Sequence, residues 1–484
     1  MNWINRAGAM ALVLLLSACS STPNDAQAPA KNWRQQIDQV LADPALQGAQ
    51  VSMMVRDADT GNTLYEHESQ RRGVPASSLK LVTSAAAMAV LGPDYRFATE
   101  LRSTGTVTAG VLNGNLYLRG TGDPTMAPAD YRELAAALAR SGVRTVRGDL
   151  LLDDTWFDDR RLGTEWANDD EGQPYAAQIS ALNIALDDHY NVGSVRLTAT
   201  ARAGRRPSLA VEPATALVQW VDHGGSGPFR LEREHGSNRI DVSGTLAPGA
   251  VQRRWSSIWE PTALVAEVMT QALTEQGIHV QGQTRLGVVT PPAAQVLAEH
   301  RSMPLAELIR PLLKQSNNGI AEVLLKSMGR QTANVGTAQA GIAATSSFLV
   351  SQGIDPEQLR QFDGSGLSRR NLIASQTFTD VLLAAHRQPW FAAWYGAMPI
   401  AGTGDRASGG TLRNRLKGTA AQNNLHAKTG SMGAVSSLTG YLTNSRGRLL
   451  AFSMVSNNFL ASEGRVKRLE DQVVRALLIS GERD

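Results

Sequence analysis

Apolar positions recur at helical spacing near both ends of the chain and at strand spacing in its middle. Trp33, Ile37, Val40 and Leu41 share one face of a helix predicted over 33–44. Val51–Arg56 and Thr63–His67 read as two strands around Asp57-Ala-Asp-Thr-Gly-Asn62, a hairpin. A helix rich in Ala, Leu and Met follows from Ser78 to Leu91 and stops at Gly92-Pro93. From about 98 to 290 the runs are short, alternating and broken by glycine. Thr106–Thr108, Leu116–Leu118, Ser194–Ala199, Arg239–Val242 and Val280–Leu286 read as strands, interrupted by clearer helices at 129–140 and 262–276. From 304 helices dominate again, at 304–314, 319–329, 337–352 and 375–387. Strands are then predicted at Leu425–Ser431, Ser437–Thr443 and Arg448–Ser456, the last two joined by the turn Asn444-Ser-Arg-Gly447. An amphipathic helix over 463–479 ends the pattern.

The two ends share one style and the middle another, so one α/β domain is split by an insertion. We expect it to comprise 33–97 and 297–484. A first β-rich inserted domain would span 98–160 and 245–296, with a second, 161–244, nested inside it. The 484 residues suit two to four domains at roughly 100–200 residues each.

Composition narrows the chemistry. With 47 Lys+Arg against 44 Asp+Glu the net charge is +3, too small for a basic face, and nucleic acid is not an expected partner. The single cysteine, Cys19, excludes intrachain disulfides, Cys-based zinc sites and iron–sulfur clusters. The histidines form no His-Glu-x-x-His, and no metal or cofactor is expected. His426 and the tryptophans Trp255 and Trp259 read as packing residues. No Gly-x-Ser-x-Gly elbow is present, and Gly120-Thr-Gly122 reads as a turn.

Residues 1–18 read as an export signal. The apolar run Ala9–Ala18 follows Arg6, ends in small residues, and is too short for the roughly 20 residues of a membrane helix. Leu16-Ser17-Ala18-Cys19 resembles the bacterial lipobox. That resemblance implies lipidation of Cys19, a tether over 19–32, and a periplasmic or cell-envelope protein held to a membrane by its lipid. Ser20, where Asp would favour inner-membrane retention, points to the outer membrane in a Gram-negative host.

Three short motifs carry chemistry. Ser77-Ser-Leu-Lys80 opens a helix, and residues three apart share a helix face. A serine needs a base within hydrogen-bond reach, and a lysine serves only when its amine is neutral, a shift of roughly 3 pH units that burial can supply. Of seven lysines only Lys80 has a serine three residues earlier. Ser316-Asn317-Asn318 lies between two helices. Ser316 suits a proton relay, and the Asn318 amide suits either a substrate carbonyl or the orientation of Lys80. Lys428-Thr429-Gly430-Ser431 lies on a strand. Lys428 offers a fixed cation for a substrate carboxylate, Thr429 a hydroxyl, and Gly430 room for a substrate backbone. The Ser431 N–H would complete an oxyanion hole with that of Ser77. Gly402-Thr-Gly404 and Ser408-Gly-Gly410 read as a loop near the site.

The order Ser-x-x-Lys, Ser-x-Asn, Lys-Thr-Gly resembles the penicillin-recognising serine enzymes. The long first interval, filled by β-rich sequence, resembles the class C low-molecular-mass penicillin-binding proteins, the D-alanyl-D-alanine carboxypeptidase/endopeptidases. So do Leu118–Thr125, Gly148–Phe157, Ile179–Leu182 and Asp363–Arg369. The resemblance implies an α/β/α sandwich around a central antiparallel sheet. It also implies peptidoglycan stem peptides as substrate and β-lactam antibiotics as acylating inhibitors. In that scheme Ser77 attacks the penultimate D-Ala carbonyl with Lys80 as base, and Ser316, near Lys428, passes a proton to the leaving amine. Asp153 aligns with an acid that meets the free amino end of the diamino residue in the stem. Asn317 replaces the Asp often found in the second motif, and its side chain is expected to point away. An esterase or β-lactamase on the same fold, and a β-lactam or muropeptide sensor or scaffold that acylates without turnover, are the alternatives.

Overall fold

The computed structural model describes residues 32–203 and 205–480; the export signal, Cys19 and most of the tether lie outside them. The catalytic domain is an α/β/α sandwich, and its central sheet has five antiparallel strands. The order across it is Thr63–His67, Gln50–Asp57, Leu449–Asn457, Val435–Thr443 and His426–Met432. Gln50 pairs with Asn457 and Asp57 with Leu450, so the early strand lies beside the last one. Strands buried on both faces read as continuous apolar runs, as in Leu449–Asn457, where only the first residue is not buried.

One face of the sheet is covered by the terminal helices Trp33–Leu41 and Glu463–Leu478. They bury Trp33, Ile37, Val466, Leu469 and Val473 against Val55, Leu438 and Phe452. The other face carries Lys80–Val90 and Ser375–His386, backed by Leu305–Lys314, Asn318–Ala333 and Ala338–Ser351. The helix Phe391–Ala397, which periodicity alone did not pick out, buries Trp394 and Ala397 in the same core.

The inserted region holds two mixed sheets and two antiparallel-to-mixed three-stranded ones. Its largest sheet runs Thr284–Leu286, Leu150–Asp153, Leu116–Gly120, Ala98–Ser103, Gln295–Arg301. Pro128–Arg140 and Pro261–Glu275 pack on one another in a core continuous with that of the nested sheets.

Two expected boundaries move. Val251–Ser257, assigned by sequence to the first inserted domain, pairs along its length with Ser194–Arg202 and so belongs to the nested one. Gln295–Arg301 pairs with Ala98–Ser103, so the inserted sheet runs past 297. In both places the backbone pairing, which no local pattern encodes, decides membership. Val280–Leu286, read as one strand, is two short ones, His279–Val280 and Thr284–Leu286, in different sheets.

Candidate active site

The first motif sits on a strained turn. Ala76 is buried with φ +46°, a left-handed conformation uncommon for a residue with a Cβ. Ala76–Leu79 forms a 3-10 turn that runs directly into the helix Lys80–Val90. Gly366 closes on this turn so tightly that a Cβ there would lie 1.9 Å from the Ala76 carbonyl oxygen. Half-buried Ser77 is thereby fixed above the fully buried Lys80.

Lys80 Nζ lies 2.8 Å from Ser77 Oγ, 2.7 Å from Asn318 Oδ1 and 2.7 Å from the Ser365 carbonyl oxygen. The last two atoms can only accept. A neutral amine has two N–H bonds and one lone pair; spending the two N–H bonds on those oxygens leaves the lone pair for the Ser77 proton. Burial drives the Lys80 ammonium down to about 7, against the opposing charges of Asp363 and Glu322.

The second motif is a helix entry. Ser316 has φ +60°, and Asn317 caps Asn318–Ala333 by accepting from Ile320 N at 2.8 Å. The Asn317 amide also donates to the carbonyls of His189 and Tyr190, so its side chain points away from Lys80 and pins the motif to the inserted region. Asn318 is held at both ends: Oδ1 accepts from Lys80 and Nδ2 donates to the Tyr175 carbonyl at 2.8 Å. Of the two roles open to it, the orientation of Lys80 is the one visible in these bonds.

The third motif occupies the edge strand His426–Met432, where alternate N–H groups are free to face the cleft. Lys428 is fully buried, with Nζ 2.9 Å from Ser316 Oγ and 2.6 Å from the Thr429 carbonyl oxygen. Burial first, and the neighbouring Lys80 second, push its ammonium well below the usual lysine range. The side chains at 77, 80 and 318 thus form one hydrogen-bonded group and those at 316 and 428 another, with Lys428 close enough to Lys80 to feel its charge.

Gly430 serves a different neighbour from the one expected. A Cβ at this position would lie 2.3 Å from Ser437 Oγ and 2.4 Å from the Pro75 carbonyl oxygen. The glycine therefore admits the enzyme's own Ser77 turn against the strand. Ser78 and Ser437 reinforce that seam, their hydroxyls 2.7 Å apart. The Ser431 hydroxyl hydrogen-bonds the Glu463 carboxylate, which Lys467 first and Ser431 second hold below the usual range. Only the backbone N–H of Ser431 is left for an oxyanion.

Asp153 does not join the cluster. It is 3% exposed; Oδ1 accepts from the Thr155 N–H and hydroxyl, and Oδ2 from the Thr290 N–H at 2.7 Å. Oδ1 closes the turn after Leu150–Asp153 and Oδ2 ties it to the distant Thr290, so the carboxylate is engaged within the inserted region. His426 has a packing role: its ring stacks on Tyr395 at 4.1 Å between centroids, and burial lowers its pKa.

Three contributors escaped the sequence reading. Glu322, one helical turn after Asn318, is buried and accepts from the Gly364 and Ser365 N–H groups, which fixes the Ser365 carbonyl under Lys80. Burial and the neighbouring Asp363 push its carboxyl above the usual range. Its signal was an acid inside the apolar run Ile320-Ala-Glu-Val-Leu-Leu325, on the face of Asn318. Asp363 organises the same loop, accepting from the N–H groups of Gly366 and Ser368, from Asn371 and from Trp166 Nε1. Thr411 lies on the segment between Gly402 and Leu412; the Thr429 hydroxyl donates to its hydroxyl at 2.8 Å. Gly410, beside it, packs so closely that a Cβ would lie 2.3 Å from the Lys314 carbonyl oxygen.

Comparison with known proteins agrees with this geometry. A D-alanyl-D-alanine carboxypeptidase of Actinomadura sp. (strain R39) is 40% identical over 455 residues, covering 92% of this chain and 84% of that one. The D-alanyl-D-alanine carboxypeptidase DacB of Haemophilus influenzae is 29% identical over 479 residues, 97% of this chain and 95% of its own. The crystal structure of penicillin-binding protein 4 (dacB) from Haemophilus influenzae superimposes with a TM-score of 0.81 at 26% identity, covering 92% of this chain and 99% of that one. The same protein has been solved in complex with a β-lactam. The model of the D-Ala-D-Ala carboxypeptidase 3 (S13) family matches residues 33–478, nearly the whole described chain, and the protein is therefore a member of that family of serine D-alanyl-D-alanine carboxypeptidases.

Proposed function

We propose that Ser77 is the nucleophile of a D,D-peptidase that acts on peptidoglycan stem peptides through an acyl-enzyme, as carboxypeptidase and as D,D-endopeptidase. The observation that carries this is the Lys80 amine, buried, lowered to about 7 and 2.8 Å from Ser77 Oγ. Lys80 takes the Ser77 proton as the oxygen attacks the penultimate D-Ala carbonyl. The N–H groups of Ser77 and Ser431 stabilise the tetrahedral oxyanion. Ser316, 2.9 Å from Lys428 Nζ, passes a proton to the departing amine, which is D-Ala or a cross-linked peptide. Thr429, with Thr411 behind it, meets the carboxylate of the leaving residue. Water then attacks the ester and restores Ser77.

A β-lactam follows the first half of this path and stays as the acyl-enzyme. Fluorescent-penicillin labelling of the wild type beside Ser77→Ala tests the assignment, together with release of free D-Ala from a pentapeptide. The wild type should label and release D-Ala, and the variant should do neither; equal labelling of both would remove Ser77 from its role.

The envelope address rests on Leu16-Ser17-Ala18-Cys19. Among the described residues no helix is long and apolar enough to cross a membrane, and attachment through a lipid on Cys19 needs none. Incorporation of labelled palmitate into the wild type and not into Cys19→Ala is the expected result. A freely periplasmic, unlipidated protein on fractionation would refute it.

A further inference from the structure

We propose that the cleft between the 168–174 segment and the strand Val251–Ser257 binds the amino-sugar strand from which the stem peptide hangs. The proposal rests on the peptidase reading above and adds a second subsite to it.

The cleft has a volume of about 780 Å³, within the range of small-molecule sites. Its charges balance: Asp169, Glu171 and Glu232 face Arg233, Arg253 and Arg254. A lining with no dominant sign does not select an anion or a cation. It presents fixed donors and acceptors side by side, which suits a neutral ligand dense in hydroxyl and amide groups. A glycan strand is such a ligand wherever its lactyl carboxyl is in amide linkage with the stem.

The floor is rigid. Glu171 and the Arg233 side chain are 5% and 3% exposed, and they pair at 2.6 Å. Glu171 also accepts from the Gly236 N–H at 3.0 Å, and its backbone carbonyl accepts from Arg233 at 2.9 Å. Arg233 is thus locked between Glu171 and the 234–237 turn and cannot swing out of the floor. At the rim, the half-buried Trp255 lies beneath the Arg196 guanidinium, 5.9 Å from the ring centroid, and Glu212 anchors that arginine. A held indole beside fixed polar groups can pack the apolar face of a pyranose while its hydroxyls reach the charges.

Position links the cleft to the reaction. Pro174 lines both this cleft and the smaller cavity bounded by Ser316 and Asn318. The next residue, Tyr175, receives the Asn318 amide bond. The segment is thus a shared wall, with the cavity of Ser316 and Asn318 on one side and the proposed sugar site on the other. Two hydrogen bonds, through Asn318, tie that wall to Lys80 beside Ser77.

The test compares release of D-Ala from a disaccharide-pentapeptide and from the same pentapeptide without sugar. The wild type should favour the sugar-bearing substrate. Trp255→Ala should lower its kcat/KM for that substrate by about tenfold and leave the sugar-free peptide unchanged. Arg253→Glu, at an exposed position of the rim, should act in the same direction and guards against a folding defect in the first variant. Equal handling of the two substrates by the wild type, or variants that lose both equally, would overturn the proposal. Wild-type protein that releases D-Ala from neither would instead overturn the peptidase reading.

Discussion

The active-site core and the solvent-facing rim of the inserted half place their charged groups in opposite settings. In the active-site core Lys80, Lys428, Glu322 and Asp363 are all under 5% exposed; the 363–368 loop joins Lys80 to Glu322 and Asp363, and Lys428 feels the charge of Lys80. In the inserted half the pairs Arg140–Glu133 and Arg230–Glu232 stand in solvent, with every side chain more than 60% exposed. Identical chemical groups therefore do different things. Loss of water lowers the Lys80 and Lys428 ammoniums and raises the Glu322 carboxyl in the first setting, whereas ion pairs in the second are screened by solvent and contribute little.

The sharpest way to break that contrast is to remove a buried acid. Glu322→Ala strands the N–H groups of Gly364 and Ser365 in a dry site and should cost about 1–3 kcal/mol in denaturant unfolding. No change in the unfolding midpoint would mean that water replaces the carboxylate. The lowered Lys80 predicts the pH response. Below about 7 the ammonium is protonated and cannot accept from Ser77, so penicillin acylation should fall about tenfold per pH unit on that side and level off above it. A flat profile over roughly pH 6–8 would show that the amine is already neutral or is not the base. Thr411→Val removes the hydroxyl behind Thr429 and should raise KM for a peptide with a free terminal carboxylate by about two- to tenfold. Thr411→Ser should restore the affinity. At the other extreme, Arg140→Ala should shift stability by no more than about 0.5 kcal/mol.

The same contrast explains what the sequence alone made legible. Ser77 with Lys80 and Ser316 with Asn318 are local spacings, and Lys428–Ser431 is a contiguous run, so each could be read without a fold. The order of the three then carried the α/β/α architecture with its antiparallel sheet. Glu322, Asp363 and Thr411 act through partners distant in sequence or through loop backbone, so the acid in the apolar run 320–325 and the motif 363–369 could be seen in the sequence, but not what they hold. Asp153 shows the converse: a family-like acid at a strand end is held by Thr155, two residues on, and by Thr290, distant in sequence, which only the fold reveals. Gly430 was read correctly as a place of close approach, but which backbone approaches is a tertiary fact.

The partnership of residues 50–57 with 450–457 has a consequence for biogenesis. A chain made from its amino end presents an early strand whose hydrogen-bonding neighbour is nearly the last segment to arrive. The interrupting domains can settle while that strand waits, and the nucleophile's sheet closes only at the finish. Penicillin reactivity should consequently be absent from nascent polypeptides that stop before residue 449, however well their middle portion resists proteolysis.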